Sequence, residues 1–124
     1  MKVSSRRFAN ALVLRVEGRL DQDTCEAFRT ELMTFVDSAA RAGGSIVLDL
    51  SPLDYVSSAG LRCFMLASRQ AKQHHGKIFV ASMQAMVAEI FEISHFNLMF
   101  QVFPSVREAL AAVSAEAAAA FEKA

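Results

Sequence analysis

From Leu12 to Glu17, Leu12, Leu14 and Val16 fall on one face of an extended chain and Val13, Arg15 and Glu17 on the other. That period of two predicts a strand over Ala11 to Val16 in a half-covered sheet. Val3 to Phe8 reads as a weaker strand, and Asn10 between the two marks a short turn, so an antiparallel hairpin is expected. Gly18 to Asp23 reads as a turn. Asp23 followed by Glu26 then forms a capping pair for a helix running to about Ala42, with Phe28, Leu32, Phe35, Val36 and Ala39 on its inward face and Gly43-Gly44 ending it. Ile46 to Leu50 is a continuous apolar run, the pattern of a central strand covered on both faces. Ser51-Pro52-Leu53-Asp54 reads as a turn, because Pro52 has no N–H and a fixed φ.

A second helix is expected from Ser57 or Ser58 to His74, with Leu61, Phe64, Met65 and Ser68 inward. After Gly76, a strand over Lys77 to Ala81 precedes a helix from Met83 to Ile93 that turns Met86, Val87, Ile90 and Phe91 inward. Met99 to Phe103 is the last expected strand. Pro104 stops it, and Ser105 with Glu108 forms a capping box for a final helix. The run Ala117 to Ala120 favours helix but has little to bury, so the end is expected to fray. The order β-β-α-β-α-β-α-β-α implies a single α/β domain over residues 1–124, with a mixed, mainly parallel sheet and helices packed against it. Its core spans about 3–113, and 114–124 forms an alanine-rich helix or tail.

Composition narrows the function. The 124 residues are 53% hydrophobic and 21% charged, as in a folded globular protein. Thirteen Lys and Arg balance thirteen Asp and Glu, which gives none of the positive excess expected of a direct nucleic-acid binder. The basic pair Arg6-Arg7 faintly echoes a signal peptide, but Asn10, Arg15 and Glu17 break the following stretch too early. No apolar run approaches the roughly 20 residues of a bilayer span, so no membrane insertion is expected. The two cysteines, Cys25 and Cys63, are too few for a disulfide scaffold or a zinc knuckle. Buried thiols in a cytoplasmic, reducing compartment are the expectation.

The turn Asp54-Tyr55-Val56-Ser57-Ser58-Ala59-Gly60-Leu61-Arg62 is where chemistry is expected, since function in open α/β sheets gathers at the carboxyl ends of strands. Serine is a favoured N-cap, worth roughly 1 kcal/mol over alanine, and that role accounts for one serine better than for two. The functional reading is a phosphorylated serine. A phosphate at a helix N-terminus meets free N–H groups and the positive end of the helix dipole. It adds about −1.5 to −2 charges to a contact surface and can eject a partner without unfolding the domain. Gly60 would let the backbone approach a partner closely. Arg62 is either a solvated charge or a contact for an acidic partner surface or for the phosphate.

Two segments carry a resemblance. Asp49-Leu50-Ser51-Pro52-Leu53-Asp54-Tyr55-Val56-Ser57-Ser58-Ala59-Gly60-Leu61 resembles the signature of the STAS domain of bacterial anti-sigma-factor antagonists. Val16-Glu17-Gly18-Arg19-Leu20-Asp21 is similar to that family's Gly-x-Leu-Asp element. The resemblance, over about residues 3–113, implies a protein without catalytic residues or cofactor that acts in transcription regulation by partner switching. Unphosphorylated, such an antagonist binds an anti-sigma factor that is also a serine kinase of the GHKL type. Phosphorylation weakens the complex, and a PP2C-type phosphatase restores it. The family's phosphoacceptor falls on Ser58, with Ser57 as second candidate, and its acidic neighbour on Asp21. Asp21, Ser57, Ser58, Ala59, Gly60 and Arg62 are then expected to form the partner surface. Ser57 stands where many members have aspartate.

Other classes fit less well. A serine hydrolase needs a Gly-x-Ser-x-Gly elbow, which is absent. His74 and His75 close the same helix roughly 24 Å from Ser58, too far to act as its base, and His95 could come nearer only by folding. His74-His75-Gly76 reads as a helix end, with no metal expected. Met83, Met86 and Met99 read as core filler, any exposed part serving as partner surface. The alternative within the fold is a nonphosphorylated STAS subunit of a larger assembly, such as a lipid-transport ABC complex. Attachment to an anion transporter is disfavoured, since the chain has no transporter segment.

Overall fold

The computed structural model describes residues 1–41, 44–74 and 76–124. The expected hairpin is formed by β1 (Lys2–Phe8) and β2 (Ala11–Leu20), paired antiparallel through a tight turn at Ala9 and Asn10. Helix α1 (Cys25–Arg41) leads back to β3 (Ser45–Asp49), which pairs parallel to the first half of β2. Next come β4 (Leu53–Val56), helix α2 (Ser58–Gln73), β5 (Ile78–Ala81) and helix α3 (Ala85–Ile93). A 3₁₀ turn at Phe96–Leu98, β6 (Gln101–Phe103) and helices α4 (Val106–Val113) and α5 (Ala115–Lys123) follow. The six strands form one mixed sheet in the order β1-β2-β3-β5-β6, with β4 set beside the far end of β2. The expected α/β, mainly parallel fold is therefore present.

Strand alternation decides which side of the sheet each residue serves. Leu12, Leu14 and Val16 share a core with Phe28, Leu32 and Val36 of α1 and Leu61 and Phe64 of α2. Phe28 and Phe64 meet edge to face, with ring centroids 5.5 Å apart. On the opposite side Phe8, Val13, Val47 and Phe79 pack with Ala109 and Leu110 of α4 and Ala117 of α5. Gln70 of α2 donates to Asp37 of α1 at 2.7 Å, fixing the pair of helices that flank the serine turn.

Several expectations are corrected. β2 does not stop at Val16. It bends at Gly18, where the pairing register shifts and φ is +108°, a conformation that favours glycine, and runs on to Leu20 alongside β4. Leu53 and Asp54 belong to β4, so the Pro52 turn is shorter than expected. The last strand begins at Gln101, because Phe96–Leu98 forms the 3₁₀ turn. Met86 and Met99 are exposed and Met65 only half-buried, whereas Met83 packs against the core. Ser114 adopts an extended conformation that divides the final helix in two and recaps the second half through Ala117 N–H. That second half is packed against the domain: Ala117 is fully buried and Phe121 stacks edge-on against Phe8 at 5.3 Å. The expected helix end at Ala42 and Gly43, and His75, lie outside the described residues; His74 caps α2.

A candidate partner-switch surface at the start of α2

The bend at Gly18 brings the carboxyl ends of β2 and β4 side by side, with Leu20 opposite Val56. Both strands leave the sheet there together, since Ser57 N–H donates to the Leu20 carbonyl at 2.8 Å. Asp21 and Ser57 are thus the first residues beyond two neighbouring strand ends.

The two serines divide the work. Ser57 has extended φ and ψ, its carbonyl accepts from Leu61 N–H at 2.9 Å, and its hydroxyl oxygen accepts from Gly60 N–H at 3.2 Å. It is the N-cap of α2. Ser58 is the first helical residue and is exposed, and its hydroxyl has no partner among the described residues. The N–H groups of Ser58 and Ala59 are likewise without an acceptor among the described residues, as the first turn of a helix requires. An anion on the Ser58 hydroxyl would therefore sit beside open donors and the positive end of a 16-residue helix.

Asp21 is held in its own turn. Its Oδ1 accepts from the Asp23 N–H at 3.0 Å, the Thr24 N–H at 3.2 Å and the Thr24 hydroxyl at 3.3 Å. This Asp21–Thr24 turn launches α1, and the expected Asp23–Glu26 capping pair does not form; Glu26 instead meets Arg29 at 3.2 Å. Asp21 Oδ2 faces Arg19 Nε at 3.8 Å, and the Arg19 guanidinium lies over the Tyr55 ring at 4.5 Å. No hydrogen bond joins Asp21 to either serine among the described residues. Arg19 and Tyr55 belong to this surface and carried no role in the sequence reading. The available signal was their place inside the two motif segments, Arg19 two residues before Asp21 and Tyr55 two before Ser57.

Ala59 and Arg62 line a groove of about 290 Å³ between the starts of α1 and α2, together with Cys25, Glu26, Arg29, Cys63 and Leu66. Arg62 is exposed, one turn beyond Ser58 on the same helix face, and pairs with no carboxylate among the described residues. Gly60 is different. It is buried, and a Cβ there would lie 2.6 Å from Leu20 Cγ and 2.9 Å from Val56 Cγ2. Its backbone approaches β2 and β4 closely, so Gly60 packs the start of α2 against the sheet. His74 lies at the far end of α2, and His95 follows α3, so neither meets Ser58 in any described contact.

The STAS domain family model matches residues 2–109. The chain belongs to the STAS family. It is 38% identical over 112 residues to BtrV of Bordetella bronchiseptica, a protein provisionally named an anti-sigma factor antagonist, covering 90% of this chain and 93% of that one. Among solved STAS structures, an anti-sigma factor antagonist from Mycobacterium paratuberculosis superimposes with a TM-score of 0.79 at 21% identity, covering 90% of this chain and 92% of the other. Unphosphorylated SpoIIAA, also an anti-sigma factor antagonist, gives 0.71 at 18% identity over 88% and 93% of the two chains. The phosphorylated form of SpoIIAA from Bacillus gives 0.66 at 17% identity over 91% and 100%. At these identities the structures establish the shared STAS fold. No helix among the described residues is long and apolar enough to cross a membrane.

Proposed function

We propose that this chain is a cytoplasmic anti-sigma factor antagonist that switches partners through phosphorylation of Ser58. The observation that carries the reading is the division of labour at the start of α2. Ser57 takes the cap, so Ser58 is left exposed beside N–H groups that have no acceptor among the described residues. Unphosphorylated, the turn, with Ala59, Arg62 and the Asp21 corner, forms the contact for an anti-sigma factor that is also a GHKL-type serine kinase. The kinase transfers the γ-phosphoryl group of ATP to the Ser58 oxygen. The hydroxyl proton is lost and ADP leaves. The phosphate adds about −1.5 to −2 charges at the centre of the contact, which repels or unseats the partner while the helix N-terminus accommodates it. Hydrolysis by a PP2C-type phosphatase restores the binding form.

The serine at position 57 fits this reading. Aspartate and serine are comparably good N-caps, so replacing the aspartate common in the family keeps the helix start and removes one negative charge beside the acceptor. The test is partner binding by three proteins. Wild type and Ser58→Ala should capture the cognate kinase with similar affinity, and Ser58→Glu at least ten-fold more weakly. Incubation with ATP should release wild type but not Ser58→Ala. Equal affinity of all three, together with no ATP-dependent release of wild type, would sink the switch and favour a nonphosphorylated subunit.

A further inference from the structure

Cys25 and Cys63 lie 38 residues apart in sequence, yet the fold puts them together. Cys25 opens α1 and is half-buried, and its thiol donates to the Gln22 carbonyl at 3.5 Å. Cys63 lies on the second turn of α2 with only 4% of its surface exposed, and its thiol donates to the Cys25 carbonyl at 3.5 Å. Both are free thiols, and both line the groove that also holds Ala59 and Arg62. Two thiols across one helix–helix seam, one reachable and one sheltered, are the arrangement of an attacking and a resolving cysteine.

We propose that Cys25 and Cys63 are an oxidisable dithiol pair, converted by a hydroperoxide to a disulfide that ties the start of α1 to α2 beside the phosphoacceptor turn. The Cys25 thiol attacks the peroxide, the O–O bond breaks, and hydrogen peroxide leaves Cys25 as a sulfenic acid with release of one water. The Cys63 thiol then displaces the sulfenic oxygen, forming the S–S bond and releasing a second water. Two thiols are oxidised and one peroxide is reduced to two waters. Burial pushes the Cys63 thiol above its ordinary value of 9.0; the charge of Cys25 adds to this, Arg29 opposes it, and a hydrogen bond with Cys25 raises it further. Cys63 therefore remains a neutral thiol near neutral pH and does not meet the peroxide first; it gives up its proton only as it attacks the sulfenic sulfur of Cys25. In a reducing compartment such a bond is transient and signals oxidant exposure.

For the switch, and resting on the antagonist reading, the bond fixes the spacing of α1 and α2 across the groove and makes the oxidised chain a poorer substrate for its kinase. The experiment treats the purified, reduced chain with hydrogen peroxide and maps it by mass spectrometry under non-reducing conditions. The chain should lose two hydrogen atoms, and tryptic peptides 20–29 and 63–69 should appear linked, a link that dithiothreitol reverses. Cys63→Ser should accumulate sulfenic acid on Cys25, trapped by dimedone, and Cys25→Ser should leave Cys63 unmodified. Phosphate transfer to the oxidised protein should be at least five-fold slower, and that slowing should be absent in Cys63→Ser. Chains crosslinked to one another, or sulfinic acid on Cys25 with a free Cys63, would overturn the pair. A linked pair with an unchanged transfer rate would overturn its regulatory part. A reduced chain that takes no phosphate would instead overturn the antagonist reading, and the peptide map would still decide the dithiol chemistry.

Discussion

At Ser57 the hydroxyl oxygen bonds the Gly60 N–H, and at Ser58 it faces solvent, so the two neighbours should respond differently to replacement. Ser57→Ala removes a cap and should cost about 1 kcal/mol, measurable by urea denaturation, whereas Ser57→Asp should retain stability. Ser58→Ala should leave stability within about 0.5 kcal/mol, as an exposed position does. Gly60 is a third case. A methyl group there meets Leu20 and Val56 side chains at under 3.0 Å, so Gly60→Ala should lose about 1–3 kcal/mol by overpacking. Cys63 adds a pH dependence. Folding favours its neutral form, so the folded value lies above 9.0, and its contribution is complete below that pH and lost as pH rises through the folded value. Denaturation at neutral and strongly alkaline pH should show wild type losing more stability on alkalinisation than Cys63→Ala.

Elements explain what these residues can reach. Helix α5 covers Phe8 and buries Ala117, so truncation after Ser114 should destabilise the fold by about 2–4 kcal/mol, and Phe121→Ala by about 1–3 kcal/mol, in the same denaturation assay. The alanine run gave no hint of this, because the apolar surface it covers belongs to the hairpin, more than a hundred residues earlier in the chain. Ser114 donates to the Asn10 side chain at 2.8 Å across the same distance. The long amphipathic helices and Ile46–Leu50 were legible because their periodicity is local. β4 was not: four residues containing Asp54, entered from Pro52, carry too little pattern, and what makes them a strand is the bend of β2 at Gly18. In the site, the helix start and its serines were readable from capping chemistry. Which serine caps, and that Gly60 faces the sheet, depended on tertiary packing.

For the whole molecule, equal numbers of acidic and basic residues mean that one phosphate changes the net charge from zero to about −1.5 to −2, concentrated at one end of α2. The rigid sheet behind that point, with Leu20 and Val56 fully packed, gives the phosphate nothing to unfold. Thermal unfolding of the phosphorylated chain should stay within about 4–8 °C of the unmodified one, the shift that about 1 kcal/mol produces in a domain near this size, while partner affinity falls much further. The central claim is that Ser58 is the switch, and it is tested most directly by intact-mass spectrometry with peptide mapping across residues 54–69, on protein from its native cells and after incubation with their lysate and ATP. A single phosphate on Ser58, lost on treatment with a PP2C-type phosphatase, is the predicted result. A chain that stays unphosphorylated under both conditions, or that carries its phosphate on Ser57, would contradict it.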